Sequence, residues 1–256
     1  MTEPTCIDIS HWQGFPDFKK VKSAGVIACI MKATEGIHFV DPNRAKNFVE
    51  ATKAGIACCC YFWLKPHLSA AQQAQFFLDT VKPVHGERVV IDWEETPLSL
   101  NELCEAIRTL NAANKNLQVT IYCSQSPLMT MLANVPQDAF DLLKETDLWV
   151  AHYTSAPTPG PTPAKIWPSW SLWQYSEKGT VDGIEGHAVD LNRFNGSNTQ
   201  LLKWMQPAGP SEPVVAAPAA PPPAPEENAV SINVWAPNTK ITVQVNGVVY
   251  QPPSTS

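Results

Sequence analysis

Short apolar runs and stretches of helical period alternate along the first 206 residues of the chain. The runs at 6–10 (CIDIS), 26–31, 55–64 (GIACCCYFWL), 88–94, 119–124 (VTIYCS) and 148–154 (LWVAHYT) are short and rich in β-branched, small or aromatic residues, which predicts strands. Between them, 15–24, 41–54, 69–81 and 100–114 read as helices, the last with Leu103, Ile107 and Leu110 spaced by four and three. Ser69 suits an N-cap, and Ala70, Ala74, Phe77, Leu78 and Val81 then share one face. Asp41 and Pro42 suit the start of the second helix, and Gly55 its stop. Two shorter helical pieces fill 126–145. The rhythm then breaks, because residues 155–168 hold five prolines and no helical period. Strands follow at 171–176 (SLWQYS) and 188–194 (AVDLNRF), and a last amphipathic helix at 199–205.

Strand–helix alternation with about eight strands predicts an α/β architecture with a parallel sheet. Its simplest form is an irregular (β/α)8-like, TIM-type barrel with reduced helices in its second half. A doubly wound open sheet is the alternative. No G-x-G-x-x-G follows the first strand and no Walker loop occurs, which disfavours a nucleotide-binding version. The barrel occupies 1–206. Residues 207–229 read as a Pro/Ala-rich linker, with eight prolines between 207 and 225. Residues 230–256 form a short β segment, in which SINVWAP and KITVQVNGVVY alternate in polarity around Asn246-Gly247 as a hairpin turn. So short a segment cannot make a core of its own. Self-association across chains, docking on another protein through 230–252, or a weakly ordered tail is therefore expected.

Composition narrows the function classes. The net charge is -6 with no basic patch, which argues against a nucleic-acid partner. No apolar run reaches the ~18 residues of a membrane span. The opening MTEPTCIDIS has neither a basic nor an apolar leader region, so synthesis without a signal peptide in a cytoplasm is the expectation. Seven cysteines, an odd number without C-x-x-C spacing, read as small buried thiols made in a reducing compartment. No His/Cys cluster has metal-ligand spacing, so neither metal nor cofactor is expected.

The chemistry concentrates in 87–96 (ERVVIDWEET). Val89, Val90 and Ile91 make a strand buried on both faces, and it ends in Asp92, Trp93 and Glu94. Side chains 92 and 94 point to one side, their Cα atoms roughly 6.6 Å apart. Two carboxylates at the mouth of a buried strand are costly unless they have partners or work to do. Polar and aromatic residues gather likewise at the ends of the other strands: Asp8; Lys32 and Glu35; Tyr61 and Trp63; Tyr122; His152 and Tyr153; Trp173, Gln174 and Tyr175; Asp190. In a β/α barrel that is the face on which active sites are built. Acids in number with aromatics suit glycoside hydrolysis. One protonated carboxyl helps the leaving oxygen depart, and an ionised one stabilises, attacks or activates water.

These motifs resemble, in order, the glycoside hydrolase family 25 lysozymes, the Chalaropsis-type muramidases found among phage endolysins and bacterial autolysins. The matching segments are Asp8-Ile-Ser-His-Trp-Gln-Gly14, Lys32-Ala-Thr-Glu-Gly36 with Asp41, Tyr61-Phe-Trp63, Asp92-Trp-Glu94, Ile121-Tyr-Cys-Ser124, Leu148-Trp-Val-Ala-His-Tyr153, Leu172-Trp-Gln-Tyr175 and Val189-Asp-Leu-Asn192. The triple cysteine before Tyr61 and the proline-rich 155–168 depart from the pattern without touching the acids. The resemblance implies a peptidoglycan hydrolase that cleaves the β-1,4 bond between N-acetylmuramic acid and N-acetylglucosamine. Glu94 is then the general acid/base, Asp92 orients the acetamido group or stabilises the developing cation, and Asp8 and Asp190 tune the pair. Tyr61, Trp63, Tyr122, His152, Tyr153, Trp173, Gln174 and Lys32 are the implied sugar contacts. Lys32 with Glu35 has a second reading as a structural ion pair, and His11 is either a rim residue or a loop histidine. The setting implied is a phage lysis enzyme or virion-borne lysozyme acting on the cell wall after release. Two alternatives stand beside it: a non-catalytic peptidoglycan-binding or structural phage module, and a chitinase-like barrel, disfavoured because Val90 stands where that motif needs an acid.

Overall fold

The computed structural model describes residues 5–84 and 86–206, together with three short strands further on. Eight strands close into a barrel: β1 (Cys6–Ile9), β2 (Ala28–Glu35), β4 (Ala57–Trp63), β5 (Arg88–Asp92), β6 (Gln118–Ser124), β7 (Asp147–Ala151), β8 (Leu172–Gly179) and β9 (Val189–Phe194). A two-residue β3 (Phe39–Val40) pairs with the end of β2. From β1 round to β8 the neighbours are parallel.

The closing strand departs from the all-parallel expectation. β9 runs antiparallel to both β8 and β1. The cause is the length of the connection. Residues 180–188 alone separate β8 from β9, whereas a parallel return needs a crossover of a dozen residues or more. Asp190 therefore reaches the mouth of the barrel from the beginning of its strand, not from the end. It sits directly opposite Asp8 in the β1–β9 register.

The helices follow from local signals. α3 (Ala70–Val81) and α4 (Leu100–Ala113) start at Ser69 and Ser99, whose hydroxyls accept the N–H groups of Gln72 and Glu102. α1 (Phe18–Ser23) starts later than the 15–24 expected, because Asp17 caps it. α2 (Arg44–Lys53) also starts later than 41. Asp41 caps it from outside the helix, with Oδ1 accepting from the Asn43 and Arg44 N–H groups. α5 (Gln125–Met131) and α6 (Gln137–Leu143) fill 126–145 as two pieces, and α7 (Asn198–Met205) follows β9. Residues 155–168 carry no helix, as their prolines require.

Alternation along the strands sorts the core into two shells. Cys6, Ala28, Ile30, Cys59, Val90, Tyr122, Trp149, Ala151 and Leu172 cluster inside the barrel. Val89, Ile91, Ile121, Leu148 and Val150 face outward against Phe77, Leu103, Ile107 and Leu110 of the helices. All seven cysteines are free thiols, and six are buried. At the start of β5, buried Arg88 binds Thr120 Oγ1 at 2.6 Å, Asp147 Oδ2 at 2.7 Å and the Trp204 carbonyl at 2.9 Å. Its guanidinium stacks 3.6 Å from the Trp204 ring, whose indole N–H donates to Asp147. This knot ties α7 to the barrel.

Residues 211–256 form a separate compact unit. In it β10 (Ser231–Asn233), β11 (Thr242–Val245) and β12 (Val248–Tyr250) pair antiparallel in that order. Val245 opposes Val248, the pairing expected of a hairpin, and a third strand is added. The proposed turn residues Asn246-Gly247 and the linker at 207–229 lie outside the described residues.

Candidate active site

Asp8, Asp92, Glu94 and Asp190 line one cavity of about 240 Å³ at the mouth of the barrel. Period two explains the central pair. Trp93, between the two acids, turns into the outer core and is 2 % exposed, so Asp92 and Glu94 face the same space. The strand ladder continues past Asp92, since the Trp93 N–H donates to the Tyr122 carbonyl and the Leu64 N–H to the Asp92 carbonyl, each at 2.9 Å. The acids thus stand on rigid backbone.

A hydrogen-bond relay fixes the opposite wall. Trp149 Nε1 donates to Asn192 Oδ1 at 2.8 Å, and Asn192 Nδ2 to Asp8 Oδ2 at 2.7 Å. Gln174 Nε2 donates to both Asp8 oxygens at 3.1 Å. Gln174 Oε1 accepts the hydroxyls of Tyr122 at 2.8 Å and Tyr153 at 2.7 Å. Asp8 is thereby held as an acceptor, and both tyrosines have their oxygens oriented toward the cleft wall. On the other side, Asp92 Oδ1 is buried with no hydrogen-bond partner among the described residues.

All four carboxyls are pushed upward. For Asp92 the cause is burial, then the neighbouring Glu94, with Lys32 opposing. For Glu94 it is burial, then a countering Tyr122 hydrogen bond, then repulsion from Asp190. Burial and the facing Asp190 raise Asp8 against the pull of Asn192 and Gln174. Burial raises Asp190 to about 6, with Asp8 pulling it back. Each of these carboxyls therefore holds its proton to higher pH than an ordinary carboxyl does, the condition for general-acid chemistry.

The same shifts carry a stability cost with a definite sign. A carboxyl whose folded pKa lies above its unfolded value near 3.9 stabilises the fold below that value, and the contribution is lost as pH rises through the folded pKa. For Asp190 that window runs from about 4 to about 6. We expect the melting temperature to decline across it and Asp190→Asn to flatten part of the decline. Thermal melts at half-unit pH steps measure this; parallel curves for the two proteins would contradict the assignment.

The structure divides the sequence-derived sugar contacts. Tyr61, Trp63, Tyr122, Tyr153 and Gln174 line the cavity with the acids, and so do Trp149 and Glu177, to which the sequence pattern assigns no role. His152, Trp173 and Lys32 do not line it. The His152 ring turns away to the Pro159 carbonyl at 2.7 Å. Trp173 is buried in the outer core, and its indole donates to the His152 carbonyl. Lys32 is buried behind Trp63, 4.6 Å from its ring centre, and paired with Glu35, the structural reading of that pair. Strict alternation would have found the difference: 149, 151 and 153 share one face of β7, and 152 the other.

The match to known proteins now has a geometry to explain. The profile of glycosyl hydrolases family 25 matches residues 7–184. The chain belongs to this family. It is 34% identical over 215 residues to Lysozyme M1 of Streptomyces globisporus, which covers 77% of this chain and 69% of that protein. It is 30% identical over 194 residues to the autolytic lysozyme of Clostridium acetobutylicum, covering 74% of this chain and 55% of that protein. The crystal structure of the bacterial lysozyme from Streptomyces coelicolor superposes with a TM-score of 0.68 at 31% identity, over 80% of this chain and 98% of that one. The family 25 chain described here is a glycoside hydrolase of the lysozyme, or muramidase, type. Its irregular barrel is the fold of that crystal structure.

Proposed function

We propose that this family 25 peptidoglycan hydrolase cleaves the β-1,4 bond between N-acetylmuramic acid and N-acetylglucosamine, with Glu94 as general acid and then general base. The observation that carries the reading is the convergence of four carboxyls with raised pKa on one aromatic-lined cavity. Glu94 is half-buried and keeps a proton to give to the leaving oxygen. Asp92 is deeper and lines the same cavity, where its carboxyl is suited to accept the N–H of a substrate acetamido group. That bond would steer the acetamido oxygen onto the anomeric carbon, so that the substrate itself supplies the nucleophile. Asp8 and Asp190 stand across the cleft, where whichever of the two facing acids is ionised supports an oxocarbenium-like centre. Tyr61, Trp63, Tyr122, Trp149, Tyr153 and Gln174 are the proposed sugar contacts.

Substrate assistance inverts the anomeric centre twice and so retains it. NMR of products released from purified peptidoglycan is expected to show N-acetylmuramic acid at the new reducing end, first as the β-anomer. An initial α-anomer would rule out retention, and a reducing N-acetylglucosamine would rule out the bond assignment.

We further propose a phage lytic setting, with the protein made in the host cytoplasm and acting on the wall after release or from the virion. The proline-rich stretch and the three-stranded C-terminal unit support an attachment or self-association role for residues beyond 206. Production inside a bacterium is then expected to cause lysis only when the membrane is permeabilised; lysis without permeabilisation would contradict the setting.

A further inference from the structure

The 3-10 turn His11–Gln13 is anchored far more firmly than its exposure requires. Ser10 and Gln13 cap it reciprocally. Buried Asp41 accepts the His11 N–H at 2.7 Å and approaches its ring at 3.1 Å. The amides of Asn43 and Asn47 hold the Gly14 carbonyl, Asn43 also holds that of His11, and Gln13 reaches the Ala188 carbonyl. None of these bonds uses the Trp12 side chain, which is 69% exposed. Polar groups are thus buried to fix a turn whose largest apolar side chain stays in solvent, the reverse of what core packing asks.

Trp12 does not stand alone. Its ring lies 4.8 Å from that of His11, which lies 5.4 Å from that of Phe39, itself 37% exposed. The Lys32 ammonium sits between Phe39, at 5.6 Å, and Trp63, at 4.6 Å. Trp63 lines the catalytic cavity. A row of rings, Trp12, His11 and Phe39, therefore lies on the surface beside the cleft wall, and the Lys32 ammonium fills the gap between Phe39 and Trp63.

We infer that Trp12, His11 and Phe39 form an outer binding strip for the glycan strand, continuing the cleft beyond Trp63. The inference rests on the peptidoglycan reading and adds where the polymer goes when it leaves the cavity. A glycan strand cleaved internally must leave the cleft in both directions, and the C–H faces of its pyranose rings stack on rings such as these. Because the turn is locked before substrate arrives, little conformational freedom is lost on binding. The strip supplies affinity for long strands without touching the reacting atoms.

The test compares kinetics of the full chain on long, peptide-free glycan strands and on a peptidoglycan tetrasaccharide. For Trp12→Ala and Phe39→Ala, KM on the strands is expected to rise about three- to ten-fold with kcat unchanged, while the tetrasaccharide KM stays put. Trp12→Tyr is expected to recover most of the loss. An unchanged KM on strands overturns the strip. Equal losses on both substrates also overturn it, because the turn would then shape the catalytic centre. A dimer seen by light scattering that Trp12→Ala dissolves overturns it in favour of a second copy of this chain. Inactivity of the wild type on both substrates overturns the peptidoglycan reading and the strip together, whereas an active wild type with unaffected variants overturns the strip alone.

Discussion

Replacing Glu94 with Gln is expected to lower kcat on peptidoglycan by about a thousandfold, with KM nearly unchanged. Glutamine keeps the shape and the polar contact toward Tyr122, but it has no proton to give to the leaving oxygen. A thousandfold is ~4 kcal/mol of transition-state stabilisation, the middle of the range for a well-placed general acid. The surroundings of Glu94 suit the proposed role, with burial first and Asp190 afterwards holding the proton on. The pH profile carries the same signature. Wild-type activity should fall as pH rises through the raised Glu94 value, whereas the small residual activity of the variant should lack that limb. Folding is not the cause, since an amide at a site that disfavours negative charge should leave the melting temperature at pH 7 equal or higher. Reducing-sugar release gives the rate. A variant that keeps more than a tenth of wild-type activity would move the acid elsewhere, with Asp190 the next to try.

Arg88→Ala is expected to cost about 3 kcal/mol and to lower the melting temperature by roughly 6–12 °C. The figure sits at the low end for breaking a buried pair, because the Asp147 side chain is 35% exposed and water screens it once the arginine is gone. What is lost besides charge is the guanidinium plane against Trp204 and the bonds to Thr120 and the Trp204 carbonyl. Arg88→Met, which keeps the stem and some stacking, should lose less than Arg88→Ala. Because Arg88 begins the strand that Asp92 ends, specific activity of the folded fraction should survive. Thermal unfolding of the full chain measures both variants. A shift of under 2 °C for Arg88→Ala would mean that α7 is held by other contacts.

Much of this was legible in the residues. The cap at Ser69 and the spacing of Leu103, Ile107 and Leu110 put two helices within a residue of where they stand. The alternation through Asp92, Trp93 and Glu94 gave the orientation of the acids, because a buried tryptophan between them can point only outward. Three things were less legible. The direction of β9 depends on where β8 ends, since β8 runs three residues past Ser176, where its apolar pattern stops, and leaves a connection too short for a crossover. The fate of His152 and Trp173 depends on strand phase, since polarity alone favours histidine as a sugar contact and phase alone excludes it. The anchoring of Trp12 depends on the amides of Asn43 and Asn47, 32 and 33 positions from the carbonyls they hold, which no local pattern reveals.

The antiparallel closing strand has a consequence for when the enzyme can exist. Asn192 and Asp8, bonded at 2.7 Å, are 184 positions apart in the chain. So non-local a contact cannot form before β9 has been made. A nascent chain that has emerged as far as β8 carries Asp8, Asp92 and Glu94, but its barrel gapes where β9 belongs, and the fourth acid is missing. On the proposed roles of the four acids, catalytic competence then arrives in one step, at the end of synthesis of the barrel. Fragments left by interrupted translation or by proteolysis ahead of residue 189 should be harmless to a cell wall, because the topology withholds the blade until the last strand is in place.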